Sequence, residues 1–311
     1  MIRYIFKRML MAVPVLLVIS FLTFVLMSLS PMDHAEVVLK AQGVPVITDE
    51  LKEGTREELG LNRPFLLQYG DWLLDCLRLD FGTSFVTGQA VWSLLGPALI
   101  NTVKLTLISS GAVIVLSVFL GVICALQQDK AADRFIRGTS FFLTAMPSYL
   151  VATLLIWYFS VKLDWLPTNG MDSYSGYILP VLVITISYAG IYFRIIRSSM
   201  LQRQLSADYV LYARACGLKE WQVTGRIIRN SLQVAISVFC MAVPIILGST
   251  VVVESVFAWP GVGSLSVRSI ISRDFPVVQA YVLIVAAAFV IFNAISDILN
   301  AAVNPKVRND H

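Results

Sequence analysis

Two carboxylates stand where carboxylates are expensive. Glu254 ends one long apolar run, and Asp297 lies near the end of another, between Asn293 and Asn300. A charge at membrane depth is costly and usually faces a bundle interior or a cavity. Glu254 is placed to touch a cationic cargo, or equally to end a helix at the outer interface. Asp297 either braces its bundle with the two asparagines or pairs with a basic residue of a partner chain, and we favour bracing. The remaining chemical inventory is thin. The four cysteines, Cys76, Cys124, Cys216 and Cys240, form no CxxC pair, and His34 and His311 lie outside the apolar runs. A metal framework has little support, and bare nickel coordination by this chain is not expected. An intramembrane enzyme would need convergent His, Asp or Ser groups within the runs. No GxxxxGK[ST] occurs, and Gly261 and Gly263 precede no Lys-Ser or Lys-Thr, so nucleotide chemistry is not encoded.

The other chemically suggestive stretch is the basic segment 208–232, which divides at Gly217. Before the glycine, Leu205, Tyr209, Tyr212, Ala213 and Cys216 share one helical face; after it, Leu218, Trp221, Gly225 and Ile228 repeat the pattern. Asp208, Arg214, Lys219, Glu220 and Arg226 occupy the polar faces. Ser206 suits an N-cap, and Gly217 has the backbone freedom that a helix C-terminus uses. The pattern predicts two short amphipathic helices meeting at a glycine. Such a knob fits a soluble partner's groove, and it also fits an anionic lipid surface.

The elements that hold these residues are membrane spans. The chain has 311 residues, 57% hydrophobic and 14% charged, and its mean hydropathy is +0.75. Soluble domains carry about 25% charged residues. Six runs, at 9–30, 99–126, 139–161, 177–199, 233–254 and 277–302, are long enough for spans of roughly 20 residues. The first follows Arg3, Lys7 and Arg8 but is too long for a signal peptide and lacks a cleavage site, so it is expected to stay. Most of the 24 Lys and Arg residues then fall on one side, in the N-terminus, 127–138, the end of the fourth run, 200–232 and the tail. The positive-inside rule makes that side cytoplasmic, with both termini inside. Segment 31–98 holds ten of the 20 acidic residues and reads as a small helical outer cap, in which Pro64 opens a helix carrying Leu66, Tyr69, Trp72 and Cys76. Pro14, Pro147, Pro180 and Pro244 lie in or at the edges of spans, as kinks or as ordinary membrane proline. Lys104 is expected to snorkel. The turn at 258–263 either gates an outer mouth or simply connects, with one short helix at 264–273 before Pro276.

The segment around Gly217 resembles the EAA loop of ABC importer permeases, with Ala213, Gly217 and Ile227 at the family's alanine, glycine and isoleucine positions. Leu211 and Tyr212 depart from the family's glutamate and first alanine, and Arg229-Asn230 replaces Leu-Pro. Further pieces, 59–69, 79–85, 257–263, 273–279 and 299–305, resemble the dipeptide/oligopeptide/nickel permease family in its first, B-type permease. Tyr188–Arg194 and Arg273–Ala280 look most like nickel and opine-metallophore importers. The resemblance covers essentially the whole chain. It implies an all-α polytopic membrane protein with six transmembrane helices, the type I ABC importer permease fold and a cytoplasmic coupling helix.

That resemblance also implies partners. A second homologous permease would complete the pathway, two ATP-binding subunits would carry ATP and magnesium, and an extracytoplasmic binding protein would deliver substrate. Membrane lipid surrounds the chain, and no nucleic acid or bound cofactor is expected. The coupling residues would be Tyr209, Ala213, Arg214, Ala215, Gly217, Leu218, Trp221 and Ile227. The candidate pathway and outer gate would involve Glu254, Trp259, Pro260, Gly261 and Asp274. The expected organisation is an N-terminal helix and outer segment at 1–97, a permease core at 98–302 containing the loop at about 205–232, and a tail at 303–311. The cargo would be a metal chelate of the nickel or metallophore type, with a di- or oligopeptide as the alternative. A secondary transporter is the competing class, although no matched pair of interrupted spans marks it.

Overall fold

Within hydrocarbon every backbone N–H and C=O must bond inside its own segment, so the apolar runs have helix as their only stable form. The computed structural model describes residues 2–29, 33–168, 173–206 and 208–303, and among these all side chains except those of 2–9, 203–206, 209, 230–234, 241 and 300–303. The tail expected at 303–311 falls outside the described residues after Val303. In chain order the helices are α1 (Ile2–Ser28), α2 (His34–Ala41), α3 (Asp49–Glu58), α4 (Phe65–Leu77), α5 (Val91–Leu126), α6 (Ala131–Ala145), α7 (Ser148–Leu155), α8 (Ile178–Ser206), α9 (Asp208–Ala215), α10 (Glu220–Val256), α11 (Val262–Ser272) and α12 (Phe275–Val303). A π-helical stretch, Ile156–Lys162, prolongs α7, and a 3-10 turn, Tyr174–Tyr177, leads into α8.

Among the described residues, five helices are long and apolar enough to cross a membrane, and the pair α6 and α7 makes a sixth if it counts as one span. Of the two readings of Pro147, the third run takes the kink: α6 and the extended α7 are bent by 102°. The cause is local. A residue before proline is pushed out of the helical region, and Met146 sits at φ −75°, ψ 133° ahead of Pro147. Pro147 then opens α7, where its missing N–H costs nothing. Other spans outrun their expected limits. α5 begins at Val91, and α10 begins at Glu220 and runs for 37 residues, so the second arm of the basic segment is the start of the fifth span rather than a short separate helix.

The described residues form two compact units. One gathers the chain up to Thr102 with Pro260–Ile291. Its core holds Cys76, Phe81, Val91, Leu95, Val262, Val277 and Ala280. Here α4 lies along α1 through Phe24, Phe65, Tyr69 and Trp72, and Tyr69 shares a 2.9 Å hydrogen bond with Ser20. Asp33 caps α2 and binds Arg56 of α3 at 2.8 Å. The cap is therefore helical as the sequence predicts.

The other unit gathers Val103–Trp259 with the described residues from Phe292 on. Its larger core joins Leu105 and Val113 of α5, Val151 and Ala152 of α7, Val183 and Tyr192 of α8, and Ala242, Ile246 and Val253 of α10. α8 is approached closely by two neighbours. A Cβ on Gly121 of α5 would meet Ile196 Cγ2 at 2.9 Å, and one on Gly190 would meet the Ser140 carbonyl oxygen of α6 at 3.1 Å and overlap the Thr144 hydroxyl. A larger residue at either position forces its neighbours on the facing helix to shift.

Candidate functional site

The basic segment folds as a tight knob on a hydrophobic pedestal. α9 ends in a Schellman turn: the Leu218 N–H donates to the Ala213 carbonyl at 3.2 Å, and the Gly217 N–H donates to that of Arg214 at 2.9 Å. Gly217 sits at φ +78°, the left-handed conformation that this motif requires. The turn is then strapped from outside. Arg214 Nε and Nη2 donate to the two oxygens of Glu220 at 2.9 and 3.1 Å, joining α9 to the first turn of α10. Gln222 reaches back to accept from the Lys219 N–H at 3.0 Å, which satisfies one orphan donor of α10.

Val210 and Ala213 of α9 and Val223 and Ile227 of α10 are buried against Ala125 of α5 and Ile196 and Met200 of α8. Two of the resemblance-derived positions, Ala213 and Ile227, are therefore packed, and the third, Gly217, makes the turn. Leu218 is half-buried against the same cluster, while Arg214 and Ala215 are exposed.

The apolar face expected from spacing is corrected. Tyr212 and Cys216 point outward, as do Trp221 and Gly225, and Val210 takes the inner position instead. Leu211, Tyr212 and Trp221 are left 75%, 73% and 71% exposed. The side chains of Tyr209 and Ser206 lie outside the described residues; the backbone of Ser206 ends α8. What results is an apolar and aromatic rim on a turn whose shape is fixed by backbone bonds.

The other expected site residues are mostly interior. Glu254 is fully buried near the end of α10, and its carbonyl accepts from the Trp259 N–H at 2.8 Å. Its carboxylate is thus covered by protein where α10 ends. Trp259 is buried too and packs edge-on against Tyr177, with ring centroids 4.6 Å apart. Such a contact anchors the turn and adds about 0.5–1.5 kcal/mol beyond its buried area. On α12, Asn293 and Asp297 are half-buried, beside Ser296, whose hydroxyl donates to the Cys240 carbonyl of α10 at 2.5 Å. The Asn300 side chain lies outside the described residues.

In the first unit, Pro260 is exposed and Gly261 buried. The Pro260 carbonyl accepts from Asn101, and Thr102 accepts from the Val262 N–H at 2.9 Å. Asp274 is buried and accepts from the Ser84 hydroxyl at 2.5 Å and the Phe85 N–H at 3.0 Å. It acts as a strut between the 81–90 turn and the start of α12.

Sequence reasoning missed a second polar assembly. Asp133, fully buried in the first turn of α6, receives Arg197 Nε at 2.9 Å and Nη2 at 2.7 Å, along with the Asp129 N–H at 3.0 Å. Its partners lie up to 64 residues away. The available signal was two acids, Asp129 and Asp133, among the inner-loop Lys and Arg residues, and it did not name a partner.

Comparison with known proteins decides the family. Residues 117–309 match the model for "Binding-protein-dependent transport system inner membrane component", and residues 1–106 match the N-terminal model of the same systems. The chain belongs to this family. As a binding-protein-dependent transport component it is a membrane permease and not an enzyme; ATP hydrolysis belongs to a separate subunit. It is 51% identical over 308 residues, 99% of each chain, to the metal-staphylopine import system permease protein CntB of Staphylococcus aureus. It is 33% identical over 309 residues, again 99% of each chain, to the glutathione transport system permease protein GsiC of Escherichia coli. Among solved structures, an amino acid ABC transporter with histidines matches with a TM-score of 0.55 at 15% identity, covering 68% of this chain and 94% of that one. That likeness supports the fold of this transport component.

Proposed function

We propose that this permease supplies half of the pathway of an ATP-driven importer for a chelated metal, of the kind carried by a metallophore. It pairs with a second homologous permease, receives cargo from an external binding protein, and docks its knob into one of the two ATP-binding subunits that hold ATP and magnesium. Both termini and the knob at 208–227 face the cytoplasm of a bacterial inner membrane, as the distribution of Arg and Lys favours. The observation that carries the docking role is the rim of Leu211, Tyr212 and Trp221 on a strapped turn. Aromatic groups on a preorganised surface give large contact area at small ordering cost. The buried Trp259 and Asp274 favour bracing over gating. The half-buried Asn293 and Asp297 fit a brace between α12 and its neighbours.

The 51% identity to a metal-staphylopine permease favours the chelate as cargo, and the 33% identity to a glutathione permease keeps a short peptide as the second reading. The whole importer, reconstituted in proteoliposomes, tests both parts. ATP-dependent uptake of nickel complexed with staphylopine is expected, with a dipeptide as the competing probe. Uptake of the dipeptide alone would replace the chelate by the second reading. Leu211→Asp should release the ATPase subunits, and their full retention would overturn the docking role.

A further inference from the structure

Resting on the docking role just proposed, we propose that the buried Asp133–Arg197 pair is a positioning clasp that makes α6 move with the knob-bearing end of α8. Displacement of the knob is then delivered to the bend at Met146–Pro147. Three observations carry this.

The first is the clasp's completeness. Both Asp133 oxygens are taken by the Arg197 guanidinium in the two-pronged geometry, and Oδ2 also faces the Asp129 N–H and Arg137 Nη2 at 3.4 Å. Asp133 is 0% and Arg197 15% exposed. A buried ion pair is poor evidence for stability, because desolvation offsets most of the attraction; its best-attested use is fixing one arrangement against others.

The second is where it sits. Arg197 directly follows Ile196 and lies one turn before Met200, and both of these residues pack against Val210, Ala213, Val223 and Ile227 of the knob. A push on the knob therefore arrives at the α8 turn that holds Arg197.

The third is a second attachment. Near the far end of α6, Ser140 and Thr144 press against Gly190 of α8 so closely that a Cβ there has no room. Two fixed points seven residues apart on each helix, Gly190–Ser140 and Arg197–Asp133, suppress both sliding and pivoting of α6 on α8. Packed contacts of this kind shift between discrete arrangements and do not deform smoothly. The next weak joint along the chain is the 102° bend.

The test uses the complete importer in lipid nanodiscs, with Cys216→Ser to remove the exposed native thiol and spin labels at the exposed Phe135 of α6 and Ile195 of α8. With Asp133 and Arg197 intact, one narrow label distance is expected, unchanged between nucleotide-free and ATP-bound states. In the neutral double variant Asp133→Asn/Arg197→Gln, that distribution should broaden and shift with nucleotide. The stimulation of ATP hydrolysis by loaded binding protein should fall about tenfold, within the range that coupling residues span. The ATPase subunits should still co-purify with this variant, which separates loss of the clasp from loss of docking as in Leu211→Asp. If the double variant does not assemble, Arg197→Lys, which keeps the charge and loses the two-pronged grip, carries the same measurement. An unchanged label distance together with unchanged stimulation would overturn the clasp.

Discussion

Gly217 offers the sharpest test of the knob. A Cβ built there meets no atom within 4 Å, so a substitution would strain the backbone and nothing else. At φ +78° the cost for an L side chain is roughly 1–2 kcal/mol, and less for asparagine, which tolerates the left-handed region. A cost of that size shifts a two-state equilibrium by about 5- to 30-fold. The Leu218 amide reports it directly, because its only way to exchange is to break the 3.2 Å bond to Ala213. In Gly217→Ala, exchange at Leu218 should accelerate by that factor, and in Gly217→Asn by clearly less. Docking of the ATPase subunits weakens only as the opened turn becomes the major form, so affinity falls by no more than the same factor. Hydrogen exchange on the reconstituted permease measures the first effect, and titration with ATPase subunits the second. Equal acceleration in the two variants, or none in Gly217→Ala, would refute the reasoning that conformation, not room, selects this residue.

Other outcomes follow from the same geometry. Ser84→Ala removes a hydroxyl donor from the buried Asp274 and should cost about 1.5–3 kcal/mol, read as a lower thermal midpoint in detergent. Cys216 is exposed and should react readily with maleimide, whereas burial and the nearby Asp75 and Asp80 push the Cys76 thiol up to about 12, leaving it inert. Bound ATPase subunits should shield Cys216, and labelling at an unchanged rate in the assembled importer would count against docking there. Burial lowers the pKa of His34, whose ring lies 4.2 Å from that of Phe275. The unfolded chain then binds the proton more readily, so stability is intact above the ordinary histidine value of 6.5 and is lost as pH falls through it towards the lower folded value. Thermal midpoints between pH 7.5 and 5 should show this slope, and His34→Gln should flatten it.

Much of this architecture was legible because hydrocarbon leaves few choices. The runs of apolar residues fixed which segments cross, and Pro64, Gly217 and the acidic cap segment fixed local boundaries. What escaped depended on partners remote in sequence. Counting apolar residues along 205–216 favoured the face holding Tyr212 and Cys216, yet Ile196 and Met200 of α8 decide which side of α9 is covered, and they select Val210. Pro147 announced a break, but the local rule that moves Met146 out of the helical region does not by itself give the 102° angle. The aromatic content of the turn at 258–263 left gate and connector open, and the edge-on contact of Trp259 with Tyr177, remote in sequence, was not legible. Asp133 and Arg197 each looked like an ordinary inner-side charge, and only the fold brings them together.

α10 carries a consequence of its own length. It runs unbroken from Glu220 to Val256, about 54 Å at 1.5 Å per residue, past Pro244, from the strap of the knob to the buried Glu254. The two ends are thus locked in phase. Inserting or deleting a single residue anywhere between them would rotate one end against the other by about 100°, turning Ile227 off its pedestal or Glu254 out of the core. A substitution on the exposed face of this rod keeps the phase of its ends; a change in its length does not.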